Sequence, residues 1–117
     1  MRICIDIDGV LCEIRQSGQS YSEVLPMPGA VEAVKELRSQ GHYIILYTAR
    51  HMKTTNSNVG LINARQGLIT LEWLEVNCFE YDEIYFGKPW ADVYIDDNAF
   101  RFSDWVETLK AISHEEH

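Results

Sequence analysis

The sequence predicts an α/β domain, a three-layer, Rossmann-like arrangement of a mostly parallel sheet flanked by helices, and three observations carry that expectation. Apolar, β-rich runs alternate with segments whose apolar residues fall at helical spacing, the pattern of parallel strands joined by right-handed crossovers. The 117 residues, 46% hydrophobic and 24% charged, suffice for one core and one domain, 1–117. Polar residues suited to chemistry recur just after each apolar run, where such sheets bind their ligands.

The first run, Ile3-Cys4-Ile5-Asp6-Ile7-Asp8-Gly9-Val10, is interrupted by two aspartates and closed by a glycine. Ionised carboxylates are costly to bury, so the strand should deliver Asp6 and Asp8 to its open carboxyl end, where a cation can pair them. Gly9 lets the chain break into a loop there. The polar stretch 10–27 reads as a long loop or short hairpin, either a flap over the site or a surface excursion. Pro28 then opens a helix with Val31, Val34 and Leu37 on one face and Gly41 as its stop.

His42 to Thr48 reads as a strand buried on both faces. Thr48-Ala49-Arg50 at its carboxyl end offers a hydroxyl and a guanidinium to an oxyanion. The hydrophilic segment 51–59, with Lys53 and Asn56, is expected to be a substrate loop or a solvated connector. A helix of about Gly60 to Asn77 follows, with Leu61, Ala64, Leu68, Leu71 and Leu74 at helical spacing and Trp73 in the core. Tyr81 to Phe86 reads as a third strand, nearer an edge. Gly87-Lys88-Pro89 turns the chain, and Trp90 to Ile95 reads as a fourth strand ending in Asp96-Asp97-Asn98. A last helix over about Ala99 to Ile112 should pack Phe102, Val106, Leu109 and Ile112, ahead of a solvated tail at 113–117.

The formal net charge of −8 disfavours nucleic acid and acidic membranes, because phosphate backbones are held chiefly by Lys and Arg. No apolar run is long enough to span a bilayer. Cys4, Cys12 and Cys78 are odd in number and lack CxxC spacing, which points to reduced structural thiols rather than a disulfide framework or a zinc site. The start, Met1-Arg2-Ile3, shows no secretory pattern, so a cytoplasmic location is expected. An acidic protein that handles phosphate needs a metal. Asp6, Asp8, Asp96 and Asp97, all oxygen donors, suit a hard ion such as Mg2+. One Asp can attack phosphorus and another can protonate the leaving oxygen and then activate water, with Lys88 offsetting charge.

Ile3-Cys4-Ile5-Asp6-Ile7-Asp8-Gly9-Val10, Tyr47-Thr48-Ala49-Arg50, Gly87-Lys88-Pro89 and Tyr94-Ile95-Asp96-Asp97-Asn98 resemble, in order, the four motifs of the haloacid dehalogenase superfamily of phosphohydrolases. The resemblance covers nearly the whole chain. It implies Asp6 as the nucleophile that forms an aspartyl-phosphate and Asp8 as the general acid and base. It further implies the Ile7 carbonyl beside Asp6 on Mg2+, Thr48 on phosphate, and Lys88 steadying Asp6 and the phosphate. Asp97 would bind the metal directly and Asp96 through water, or the reverse. Neither gap between motifs has room for a separate cap domain. A capless member implies a large or polymeric substrate, or a lid supplied by a neighbouring subunit of a homo-oligomer. Arg50, Lys53 and Asn56 are then expected to recognise the leaving group. The Tyr-Thr-Ala-Arg and Gly-Lys-Pro-Trp-Ala-Asp forms also resemble small members associated with surface-polysaccharide biosynthesis. The expected function is Mg2+-dependent hydrolysis of a small phosphorylated substrate, such as a sugar or polyol phosphate. A nucleic-acid end phosphatase and a metal-binding phosphoacceptor without turnover are the alternatives. Net charge counts against the first and Asp8 against the second.

Overall fold

The structure is a computed structural model that describes residues 1–50, 59–89 and 91–115, with the backbone alone for 59–66. Strands β1 (Arg2–Asp6), β2 (Tyr43–Thr48) and β3 (Glu83–Phe86) pair in that order, all parallel. Helix α1 (Ala30–Ser39) links β1 to β2, α2 (Val59–Val76) links β2 to β3, and α3 (Trp105–Glu115) follows. In α1, Ala30, Ala33, Val34 and Leu37 recur at helical spacing and are buried. Gly41 then takes a φ of +91°, a left-handed turn that only glycine adopts freely, and sends the chain into β2.

Cross-strand register places Ile5 opposite Leu46, Asp6 opposite Tyr47, and Thr48 opposite Phe86. The three carboxyl ends are therefore almost level, and whatever follows each strand converges on one place. The face bearing Ile5, Ile44 and Leu46 is buried in a core with Ile7, Leu11, Val34, Leu37, Trp73, Leu74 and Trp105. The face bearing Cys4, Ile45, Tyr47 and Tyr85 is more open. This corrects the expectation that β2 is buried on both sides. Tyr43 and Tyr47, each with an apolar ring and a polar tip, mark the wetter face, which an apolar run alone does not reveal. Trp73 takes its expected core place, stacked on Phe79 at 5.4 Å.

Among the described residues of the expected fourth strand, 91–95 are irregular, with Val93 72% and Ile95 96% exposed. The Tyr94 hydroxyl donates to the Pro89 carbonyl at 2.6 Å and accepts from the Ala91 N–H at 3.1 Å. That closure folds the segment on itself and keeps it from extending along a sheet edge. Helix α3 also starts six residues later than expected, at Trp105. Asp104 caps it, its carboxylate accepting the Glu107 N–H at 2.8 Å, and a free carboxylate at that position starts a helix.

The stretch 10–27 is a closed loop pinned at its base. The Glu13 N–H donates to the Leu25 carbonyl at 2.9 Å and the Met27 N–H to that of Leu11 at 2.8 Å. The Trp73 indole N–H bonds the Val24 carbonyl at 2.8 Å and that of Trp105 bonds Val10 at 3.0 Å. Leu11, Cys12 and Val24 within it are buried. Apart from isolated bridges of Cys12 with Asp8 and with Pro26, the stretch forms no strand. Among the described residues, no helix is long and apolar enough to cross a membrane.

Asp82 sets where β3 begins. Its carboxylate accepts the Ile44 N–H at 2.8 Å, its own N–H donates to the Ile44 carbonyl at 2.9 Å, and Arg38 pairs with it at 3.0 Å. The Ile44 bond above all, and Arg38 with it, holds the Asp82 carboxyl below the usual range against some desolvation. A carboxyl depressed in the folded state stabilises above its unfolded pKa and loses that contribution as pH falls through the folded value. Asp82→Asn should therefore lower the melting temperature near neutral pH. It should also lose less than the wild type on further acidification below about pH 4, followed by circular dichroism. Parallel pH profiles for the two proteins would remove Asp82 from this role.

Candidate active site

Ile7 still belongs to the sheet edge, its N–H donating to the Tyr47 carbonyl at 3.1 Å, and the chain turns immediately after it. The Ile7 carbonyl accepts the N–H groups of Val10, Leu11 and Cys12 at 3.3, 2.9 and 3.1 Å. Gly9 makes the turn at a φ of +83°, where an added Cβ would meet Ile14 Cδ1 at 3.0 Å. The Ile7 carbonyl, expected beside Asp6 on an ion, is here engaged inside the turn. The same turn throws Asp6 and Asp8 outward, both half-buried at the sheet's carboxyl end.

Asp6 is paired from β3. The N–H groups of Gly87 and Lys88 donate to the Thr48 carbonyl at 3.2 and 3.1 Å, fixing the turn that carries the lysine. Lys88 Nζ then lies 3.2 Å from Asp6 Oδ2, with the Lys88 side chain 13% exposed. It also sits over the rings of Tyr47 and Tyr94, 4.5 and 4.0 Å from their centroids. A cation under two rings and against a carboxylate is no solvated surface lysine. Burial alone would lower the Lys88 pKa, but Asp6 and the tyrosines outweigh it and hold it above its ordinary value. At Asp6 the order is reversed. Burial dominates and lifts the carboxyl above its usual range, against the charge and bond of Lys88 and with some help from the Asp8 charge.

Asp8 is paired from β2. Thr48 donates its hydroxyl to Asp8 Oδ2 at 2.9 Å, and Arg50 Nε donates to Asp8 Oδ1 at 2.9 Å. Arg50 is itself enclosed, with its side chain 2% exposed. Its Nη1 bonds Thr70 Oγ1 at 3.1 Å, its Nη2 meets Cys12 Sγ at 3.5 Å, and its guanidinium lies 4.1 Å from the Tyr21 ring centroid. Ala49 sits half-buried between Thr48 and Arg50. A hydroxyl has one proton to give, and Thr48 gives it to Asp8. In this arrangement the Thr48 hydroxyl and the Arg50 guanidinium are both engaged with Asp8. The Cys12 thiol, pushed up to about 11 by burial and then by the Asp8 charge, is a packing group and not a nucleophile.

Asp96 and Asp97 do not reach this place. Both are exposed, and Asp96 Oδ1 accepts the Asn98 N–H at 3.1 Å in a local turn. Residues 91–98 form no strand that would carry them to the end of β1. Among the described residues, no three His, Cys, Asp or Glu gather into a metal site. Lys53 and Asn56 lie outside the described residues, as does the expected substrate loop up to residue 58. The expected four acids are thus not gathered in one place among the described residues, and Asp6 and Asp8 are the two that stand at the end of β1. Those two still fit Mg2+, which commonly takes one or two carboxylates and leaves its other positions to water and substrate phosphate. Tyr21, Tyr47, Tyr94, Cys12 and Thr70 join the site without having been expected there. Thr70 carried a faint signal, a hydroxyl within an otherwise apolar helical repeat.

No family model matches the chain, and no curated protein is similar to it. Among solved structures, an MCSG target from Vibrio cholerae is 36% identical over 100% of this chain and 100% of its own, with a TM-score of 0.79. A second, D,D-heptose 1.7-bisphosphate phosphatase from B. bronchiseptica complexed with magnesium and phosphate, is 19% identical with a TM-score of 0.51. That match covers 99% of this chain and 64% of the phosphatase, and it speaks for the fold alone. The chain therefore belongs to one family with the Vibrio cholerae protein, on a haloacid dehalogenase-like fold without a cap domain.

Proposed function

We propose that this chain is a Mg2+-dependent phosphomonoester hydrolase that works through an aspartyl-phosphate on Asp6, with a small sugar or polyol phosphate as substrate. One observation carries the reading: a carboxylate against a nearly buried lysine, Asp6 with Lys88, stands beside a second carboxylate fixed at both oxygens, Asp8. Phosphoryl transfer asks for that set, a nucleophile, a proton carrier and a fixed cation.

In the first half, an Asp6 oxygen bonds to phosphorus while the bond from phosphorus to the leaving oxygen breaks and Asp8 gives that oxygen its proton. In the second, Asp8 takes a proton from the water that attacks phosphorus, and the bond from Asp6 to phosphorus breaks to release phosphate. Lys88, protonated and held in place beforehand, offsets the charge that gathers on the phosphoryl oxygens. Asp6 and Asp8 would hold Mg2+ between them, adding positive charge and orientation at the same oxygens when it is bound. Selectivity would come from the loop 10–27, from segment 51–59 with Lys53 and Asn56, or from a second copy of the chain closing over the site.

A phosphoacceptor with little turnover is the second reading. It is favoured by the engagement of both Asp8 oxygens, which must be freed in part before the carboxyl can reach a leaving group.

Assay with para-nitrophenyl phosphate separates the two. The enzyme reading expects sustained turnover with Mg2+ that stops in excess EDTA, whereas a single burst matching the protein concentration would favour the phosphoacceptor. Undiminished turnover in chelator would remove the metal. Asp6→Asn should abolish turnover while the protein stays folded. Lys88→Ala should lose about 3 kcal/mol of transition-state stabilisation, roughly a hundredfold in rate. A rate within about threefold of the wild type would leave Lys88 with no electrostatic part.

A further inference from the structure

The guanidinium of Arg50 is more fully engaged than that of an ion pair on a surface. It donates to Asp8 at 2.9 Å and to Thr70 at 3.1 Å, meets the Cys12 sulfur at 3.5 Å and lies 4.1 Å from the Tyr21 ring centroid, with 2% of the side chain exposed. Those four partners come from three different parts of the chain. Asp8 and Cys12 bracket the turn after β1, Tyr21 belongs to the tip of the loop 10–27, and Thr70 sits in the middle of α2. Arg50 is placed by its own N–H, which donates to the Thr48 hydroxyl at 3.1 Å, the same hydroxyl that bonds Asp8. Tyr21 carries a second guanidinium, Arg15, 5.1 Å from its centroid, so the loop is stacked between cations.

A planar fork that satisfies several acceptors at fixed angles holds geometry in a way an ammonium cannot. A side chain so enclosed also has no face to offer a substrate. We propose that Arg50 is the positioning residue for Asp8 and the joint that locks the loop 10–27 and α2 onto the site, rather than a ligand for phosphate. The chemical part of this inference rests on the phosphatase reading; the joint does not. Asp8 must meet the leaving oxygen at hydrogen-bond distance to protonate it, and small misplacement of a proton donor is costly where the leaving group is a poor one. The loop meets the same residue at its tip, where Tyr21 lies against Arg50 and Arg15, while its base bonds lie farther back, at Val10 and Val24.

The test compares Arg50→Lys and Arg50→Met with the wild type on two esters, para-nitrophenyl phosphate, whose leaving group hardly needs a proton, and glycerophosphate, whose leaving group does. Arg50→Lys keeps the charge and loses the fork. Its kcat/KM on glycerophosphate, which reports events up to transfer onto Asp6, should fall about a hundredfold, and on para-nitrophenyl phosphate less than about threefold. Inhibition by inorganic phosphate should stay within about twofold of the wild type, since no phosphate contact is lost. In Arg50→Met, hydrogen exchange should quicken for amides 13–24 and stay unchanged in α3. Weakened inhibition by phosphate would make Arg50 an anion ligand and overturn the proposal. Equal losses on both esters, or exchange rising uniformly through the protein, would reduce it to general support of the fold and overturn it as well. A wild type silent on both esters removes the phosphatase reading instead. Exchange in 13–24 then decides alone: quickening confined there upholds the joint, and no change refutes it.

Discussion

Two carboxylates stand two residues apart at the end of a buried strand, and most of the architecture around them answers that constraint. A half-buried carboxylate without a partner is costly, and its repulsion from a neighbour adds to the cost. Here each has its own cation, Lys88 for Asp6 and Arg50 for Asp8, delivered from the ends of the two other strands. Parallel pairing makes this possible, because β1, β2 and β3 end almost level and their trailing residues meet. Two of the ten basic residues are used in this way, in a chain of net charge −8. The site is therefore locally balanced and not acidic like the rest, which lets an anion approach it.

The two pairs differ in kind. Lys88 lies on the open face of the sheet under Tyr47 and Tyr94, held against Asp6 as a compact point charge. Arg50 is enclosed by α2 and by the loop 10–27, and its fork is fixed. Asp6 has an ammonium point charge as its partner and Asp8 a guanidinium fork with fixed directions. Such a division suits a nucleophile whose charge is relocated during reaction beside a proton carrier whose position must not change.

Much of this was legible in the sequence because it depends on local pattern. The alternation of β1, α1, β2, α2 and β3, the core place of Trp73 and the approach of Lys88 to Asp6 all follow from apolar periodicity and from ligand sites lying beyond strand ends. What was misread depends on partners distant in the chain. The run 90–95 has a strand's composition, yet the Tyr94 hydroxyl bonds back to Pro89 and Ala91, and a hydroxyl's partner is not written in periodicity. Asp104 reset the start of α3 through a cap that the apolar spacing of Phe102 and Val106 concealed. At Thr48 and Arg50, residue type did not reveal the pairing with Asp8. Only the arrival of Cys12, Tyr21 and Thr70 shows that the guanidinium is already enclosed.

The nucleophile can be identified by the covalent bond it forms. Protein mixed with para-nitrophenyl phosphate and Mg2+, quenched in the steady state and treated with borohydride, has any aspartyl-phosphate reduced to homoserine, which peptide mass spectrometry locates. If Asp6 is the attacking group, the reduced residue lies at position 6 and is lost in Asp6→Asn. Reduction at Asp8, or sustained turnover with no reduced residue at all, would contradict an aspartyl-phosphate on Asp6.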